Sequence, residues 1–287
     1  MAEPTFVNMS VPFRDDPGHF VAVKVWGQLD TAVRTFVGCH GWLDNANTYD
    51  LVARDLLKQL PGSAFVSIDF SGHGRSSHAV GAHKYNGATG YLSDVLAVVD
   101  YFKIESFIAI GHSMGGGVLT AFCGIFPERV SKFICIENIG QPDHPPDRIP
   151  SMMREYFDRL RRRQQKTSVK PMYPTIDLAV RARANAALAI PESAAHLLVE
   201  RGLEPIFNPV SARSSTRGGR VPVLYVIGEQ GYFDLDAPAA KRRLAAVRKK
   251  RVVVVPGGHH PHLEPEAAPK VVNAIVEFVR EPMVAKL

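Results

Sequence analysis

The 287-residue sequence predicts an α/β fold, a mostly parallel central sheet flanked by helices with a helical cap inserted into it. Three observations lead there. Short β-rich runs alternate with amphipathic stretches along most of the chain. Several of those runs, SFIAIG, KFICIE and RVVVV among them, are apolar throughout, as strands buried on both faces of a parallel sheet must be. Between Gly140 and Arg220 the strand signal stops, and the Pro-rich QPDHPPDRIP leads into Arg-, Ala- and Leu-rich helical stretches. The core is therefore expected at residues 1–139 and 221–287, and the cap at 140–220.

Taken in order, Thr5–Val11 and Phe20–Trp26 read as opening strands, followed by a strand at Arg34–Cys39, a helix near Thr48–Gln59 and a strand at Ala64–Asp69. A helix around Tyr91–Phe102 leads to a strand at Ser106–Gly111, a helix over Met114–Phe126 and a strand at Lys132–Glu137. After the cap come a strand at Val221–Gly228, a helix near Ala237–Arg248, a strand at Arg251–Val255 and a closing helix near Pro265–Val279. Proline at 282 should end that helix near Arg280, since it lacks a backbone donor and disfavours helix at the residue before it.

Composition narrows the class. With 46% hydrophobic and 22% charged residues, the chain is too apolar to be disordered. It contains no apolar run of about 18 residues and no basic-then-apolar leader at MAEPTFVNMS, so a soluble, non-secreted protein without stable membrane insertion is expected. Cys39, Cys123 and Cys135 are odd in number and widely spaced, which argues for buried thiols rather than disulfides or a zinc ribbon. The net charge of +6 is confined to residues 141–220, which hold 14 Lys and Arg against eight Asp and Glu. No nucleic-acid-binding signature accompanies it. Its densest part, Arg159–Lys166, reads as a solvated helix face rather than a surface for anions or membranes.

The strongest chemical signal is Gly111-His112-Ser113-Met114-Gly115, a G-x-S-x-G between an apolar strand and a helix. Small neighbours permit the sharp turn that lifts a serine hydroxyl above the sheet's carboxyl edge, and the helix N-terminus offers free N–H groups to a developing oxyanion. Serine needs a base. Pro256-Gly257-Gly258-His259-His260-Pro261-His262, on the loop before the last helix, supplies imidazoles, and His259 directly after the glycines is the best placed. The three histidines could instead hold a metal, but no matching ligand cluster accompanies them, so no metal or other cofactor is expected. At the end of the third predicted strand lies Cys39-His40-Gly41-Trp42-Leu43-Asp44. Cys39 reads as a small core residue. His40 reads as a buttress for its loop, and with Gly41 and His112 it is expected to line the substrate site.

Four motifs, HGWLDN at 40–45, DFSGHGRSS at 69–77, GHSMGGG at 111–117 and GGHHPHLEPE at 257–266, occur in an order that resembles the α/β-hydrolase superfamily over nearly the whole chain. More narrowly, HGWLDNANTYD, GYFD at 231–234 and GGHHPHL are similar to the Kraken-type serine hydrolase-like proteins. The resemblance implies a Ser/His/acid hydrolase acting on a small-molecule acyl substrate, with the N–H groups of Trp42 and Met114 as its oxyanion hole. One position departs from the pattern. Where many such proteins carry the acid, three residues after the glycine that ends the seventh strand, this chain has Gly231. Two carboxylates remain: Asp234, three residues further along the loop and the preferred one, and Glu137, at the end of KFICIE, where dehalogenase-like members of the superfamily carry theirs. Their plain structural alternatives are capping the helix near Ala237 for Asp234, and ordering the cap entrance for Glu137.

The expected activity is hydrolysis of a carboxylic ester or related acyl compound through an acyl-enzyme. The alternatives are a carbon–carbon bond hydrolase and a non-catalytic ligand-binding protein using the same cavity. Serine at 113 sets aside the alkyl-halide and epoxide chemistry that an aspartate nucleophile serves in this superfamily. The tripeptide Ala285-Lys286-Leu287 resembles a peroxisomal address read by an import receptor, so peroxisomal location is expected for a eukaryotic source and a cytoplasmic one otherwise.

Overall fold

A computed structural model describes residues 4–13, 16–78, 87–140, 146–148, 150–151, 154–155, 158, 173–186, 189–203 and 221–281. Arg159–Lys166 and Ala285-Lys286-Leu287 lie outside the described residues, and the expected cap at 140–220 is described only in part.

Eight strands form one sheet in the order β1-β2-β4-β3-β5-β6-β7-β8. The antiparallel hairpin of β1 (Phe6–Phe13) and β2 (Asp16–Trp26) starts it, and β2 runs antiparallel to β4 (Ser63–Ile68). From there β3 (Arg34–Cys39), β5 (Phe107–His112), β6 (Val130–Ile136), β7 (Val223–Gly228) and β8 (Lys250–Val255) are parallel. All their carboxyl ends therefore share one edge.

Strand periodicity sorts side chains between two cores. Along β5, Phe107 and Ala109 join the core beneath α2 (Gly87–Tyr101), α3 (Met114–Ile125) and α6 (Pro238–Ala245), which contribute Val95, Val98, Leu119, Phe122 and Ala240. Ile108 and Ile110 face the opposite core, closed by Val52 and Leu56 of α1 (Asp50–Gln59) and by Val271, Ile275 and Phe278 of α7 (Ala268–Arg280). Both faces are thus dry, as the apolar runs require.

Two helix boundaries differ instructively from expectation. The segment expected as a helix from Thr48 begins instead as a 3-10 turn, Ala46–Tyr49, because Asn45 adopts extended geometry and its side chain accepts the Asn47 N–H. The closing helix starts at Ala268 rather than near Pro265, since Pro261–Glu264 form turns that place His262 in the interior. It ends at Arg280, with Glu281 extended ahead of Pro282. The buried Lys132 of β6 donates to the Phe278, Val279 and Glu281 carbonyls at 2.5, 3.0 and 2.7 Å, satisfying acceptors that the helix end leaves open.

Between β6 and β7, α4 (Ile176–Ala184) and α5 (Glu192–Gly202) pack through Ala179, Val180, Ala195 and Leu198 around Leu263. Polar contacts fasten them to the core: Arg201 Nε bridges both Asp69 oxygens at 2.9 and 3.0 Å, and Asn45 Nδ2 donates to the Leu198 carbonyl at 2.7 Å. No helix among the described residues is long and apolar enough to cross a membrane.

Candidate active site

The candidate site lies where the parallel strands end. Ser113 follows β5 with φ at +46°, a left-handed conformation that L residues rarely adopt and that a tight strand-to-helix turn imposes. Close approach makes the turn possible. A Cβ at Gly111 would lie 2.7 Å from Gly115 and Gly116 backbone atoms, and one at Gly115 would overlap the Cys39 carbonyl.

Ser113 Oγ stands 3.0 Å from His259 Nε2, and His259 Nδ1 lies 3.1 Å from Glu137 Oε2. The arrangement follows from register. β5 and β6 pair with His112 opposite Ile136, so Ser113 and Glu137 leave neighbouring strands at the same level. His259 reaches between them from the loop after β8, and its ring remains partly exposed while Glu137 is fully buried. Glu137 also has a positive φ, +47°. Its carboxylate turns across the end of β7, accepting the Gly228 N–H at 2.7 Å and the Tyr232 N–H at 2.9 Å.

A model of the α/β hydrolase fold family matches residues 34–266, spanning β3 through all three of these side chains. The chain belongs to the α/β-hydrolase fold family. It is 29% identical to a mouse serine hydrolase-like protein over 98% of both chains, and 27% identical to one from Dictyostelium discoideum over 91% of this chain and 79% of that one. A solved hypothetical protein from Pseudomonas aeruginosa PAO1 is similar in structure, with a TM-score of 0.78 and 28% identity, covering 97% of this chain and 99% of that one.

The structure treats the two candidate carboxylates differently. Asp234, the preferred carboxylate, is exposed and accepts the Asp236 N–H at 2.8 Å, shaping the turn before α6. Glu137 is the carboxylate in contact with His259. Space explains the difference: a Cβ at Gly231 would overlap the Glu137 carboxylate, which fills the volume a side chain on that loop would need.

His40 and His112, expected to line the substrate site, are both wholly buried and engaged elsewhere. His40 Nε2 accepts the Phe70 N–H at 3.0 Å, so Nδ1 carries the proton and donates to the Gly41 carbonyl at 2.7 Å. Burial pushes its pKa down to about 3, keeping this buttress neutral. His112 Nε2 donates to the His259 carbonyl at 2.9 Å, and burial lowers its pKa to about 4. Gly41 is buried too, and a Cβ there would lie 2.6 Å from His112 Nδ1. These residues shape the loops behind the site rather than its wall.

The expected oxyanion donors are adjacent by topology. β3 and β5 pair with Cys39 opposite Gly111, so the loop carrying Trp42 runs beside the turn where Met114 opens α3. Helix geometry leaves first-turn N–H groups without an intrahelical acceptor, which suits Met114 to an anion.

The histidine cluster does not gather as one ligand set among the described residues. His259 uses both ring nitrogens on Ser113 and Glu137, while His262 Nε2 pairs with Thr48 Oγ1 at 3.0 Å. A different group, Asp44, His112 and His260, brings one potential ligand atom from each residue within 4.8 Å of the others. Sequence reading passed over Asp44, whose only signal was its place in HGWLDN. It also passed over Tyr232, an exposed ring packed edge-on to His259 with centroids 4.7 Å apart.

Proposed function

We propose that this α/β-hydrolase is a serine hydrolase that cleaves a carboxylic ester or related acyl substrate through Ser113, His259 and Glu137. The observation that carries the reading is the continuous contact from Ser113 Oγ to His259 Nε2 and from His259 Nδ1 to Glu137. Ser113 Oγ attacks the substrate carbonyl carbon while His259 Nε2 takes its proton. The carbonyl electron pair moves onto oxygen, where the N–H groups of Met114 and Trp42 stabilise it. Collapse of the tetrahedral intermediate expels the alcohol, which receives the proton from His259 and leaves an acyl-serine. Water, deprotonated by the same ring, then attacks the acyl carbon, and as the acyl–Oγ bond breaks His259 returns that proton to Ser113 Oγ, releasing the carboxylic acid.

Glu137 holds the His259 Nδ1–H and stabilises the imidazolium without taking its proton. Its two backbone donors fix the carboxylate, so the imidazole is oriented before substrate arrives. The serine hydrolase-like relatives support this reading, as does the serine at 113, which alone can form an acyl-oxygen ester at that position.

Reaction with a fluorophosphonate probe, followed by mass spectrometry of the labelled peptide, tests the assignment. One adduct on Ser113, with hydrolysis of p-nitrophenyl acetate lost in parallel, is the expected result. Undiminished hydrolysis by Ser113→Ala, or labelling elsewhere, would remove the proposal, and a wild type that neither labels nor hydrolyses would favour the ligand-binding alternative.

A further inference from the structure

The residues flanking the candidate dyad meet at one buried carboxylate. His112 precedes Ser113 and His260 follows His259. Asp44 Oδ2 lies 3.3 Å from His112 Nδ1 and 3.3 Å from His260 Nε2. The other Asp44 oxygen accepts from Arg183 Nη2, on α4, at 2.8 Å. Asp44 is shut off from solvent, and Arg183 is only 16% exposed at its side chain.

Proton placement decides what each contact does. His112 Nε2 faces a carbonyl, which has no proton to offer, so that nitrogen carries the ring's hydrogen and donates it to His259. With one proton on the neutral ring, none remains for Nδ1. Asp44 therefore takes a hydrogen bond from the Arg183 guanidinium through one oxygen, while its other oxygen accepts none and faces His260 Nε2 electrostatically at 3.3 Å. His112 and His260 thus grip the His259 segment from two sides, one through its carbonyl and one through the next residue.

We propose that Asp44 is a positioning residue coupling the seating of α4 to the loop that carries His259. Arg183 holds Asp44, Asp44 holds His260, and the linked segment keeps His259 within reach of Ser113. A buried carboxylate deprived of its partner is strongly disfavoured, because its charge is left uncompensated away from water. Withdrawal of α4 therefore leaves Asp44 uncompensated and frees His260 to shift, while a seated α4 completes the catalytic geometry. The three-residue group also has a spacing that a divalent cation could span. Arg183 argues against that use, because it already supplies the counter-charge and would stand beside the ion.

The inference rests on the proposed serine hydrolase reading, and one experiment separates the two. Esterase kinetics with p-nitrophenyl acetate are measured for the wild type, Ser113→Ala, Asp44→Asn, Arg183→Gln, His260→Gln and the double variants Asp44→Asn/Arg183→Gln and Arg183→Gln/His260→Gln. Asp44→Asn should lower kcat by about ten- to a hundredfold with KM within about threefold, since a misplaced base impairs chemistry more than binding. Arg183→Gln should lose less, and the double variant should be no worse than Asp44→Asn within about twofold, as residues on one path are not additive. If Asp44→Asn does not fold, the Arg183→Gln/His260→Gln cycle carries the same test.

Independent, multiplicative effects in the cycle would overturn the coupling, as would Asp44→Asn with wild-type kcat when Ser113→Ala is inactive. Full activity in Ser113→Ala would instead overturn the serine hydrolase reading. Metal analysis of the purified protein guards the remaining assignment: one equivalent of zinc, lost in Asp44→Asn, would make the cluster a metal site and overturn the positioning role.

Discussion

The end of β6 and the loop after β7 each carry a candidate carboxylate, Glu137 and Asp234, and their surroundings could hardly differ more. Glu137 sits at a fully buried strand end, held in a left-handed backbone conformation and fixed by two N–H donors. Asp234 sits on an exposed turn and spends an oxygen on its own backbone neighbourhood. Chain position slightly favours Asp234, yet the contact to His259 is made by Glu137. The contrast teaches that which carboxylate can reach His259 is set by which loop leaves volume for it, and here the absent side chain at Gly231 provides that volume.

The most severe way to test the contrast is to neutralise each carboxylate without changing its shape. Glu137→Gln should lower kcat by about three to four orders of magnitude through loss of tautomer control, and Asp234→Asn by less than about threefold. Steady-state kinetics on one ester decides it, and equal losses would erase the distinction. Intruding on the volume should come next. Gly231→Ala places a methyl group against the Glu137 carboxylate and should cost about ten- to a hundredfold in kcat, because a displacement near 1 Å disturbs a catalytic constellation that much.

Moving the acid sharpens the comparison further. Glu137→Gly suits the positive φ and empties the volume, and adding Gly231→Asp should recover about tenfold in kcat over the single variant. No recovery would mean that the donors at Gly228 and Tyr232, rather than a carboxylate alone, make β6 effective.

Burial distinguishes the two regions in acid as well. His40 and His112, behind the buried side, have folded pKa values near 3 and 4 against an ordinary value of 6.5. Their neutrality costs nothing above pH 6.5. Below it the unfolded chain binds protons that the folded chain refuses, so stability falls with pH by up to about 1.4 kcal/mol per unit for each ring. The His112 contribution levels off once pH passes about 4. Urea midpoints measured from pH 7 to 4 should show this decline, and His40→Gln should flatten it; an unchanged slope would deny that His40 is held neutral.

Much of this molecule was legible in its sequence. Every core strand came from local apolar pattern, and the proposed nucleophile and base, Ser113 and His259, stood out because strand–Gly-x-Ser-x-Gly–helix and Gly-Gly-His are local signals too. Glu137 could not be singled out, because its claim depends on the emptiness of residue 231, nearly a hundred positions away. The roles of His40 and His112 were hidden for a related reason: polar motif residues look alike in sequence whether they face substrate or brace a loop, and only burial separates them. Asp44 shows the same limit, since its partners come from the elbow, the base loop and α4.

The lysine beneath the last helix has a consequence for how such a site comes into being. Lys132 precedes Glu137 by five residues and is satisfied by carbonyls as far along as Glu281, while Glu137 and His259 are 122 residues apart. A chain emerging from the ribosome carries Ser113 and Glu137 long before His259 and the closing helix exist. Until residues 223–228 emerge, β6 lacks its neighbour β7 and exposes an apolar edge that favours aggregation. The contact from Ser113 through His259 to Glu137 thus forms only after His259 has emerged, and folding of this region is timed by the arrival of residues far from the serine in sequence.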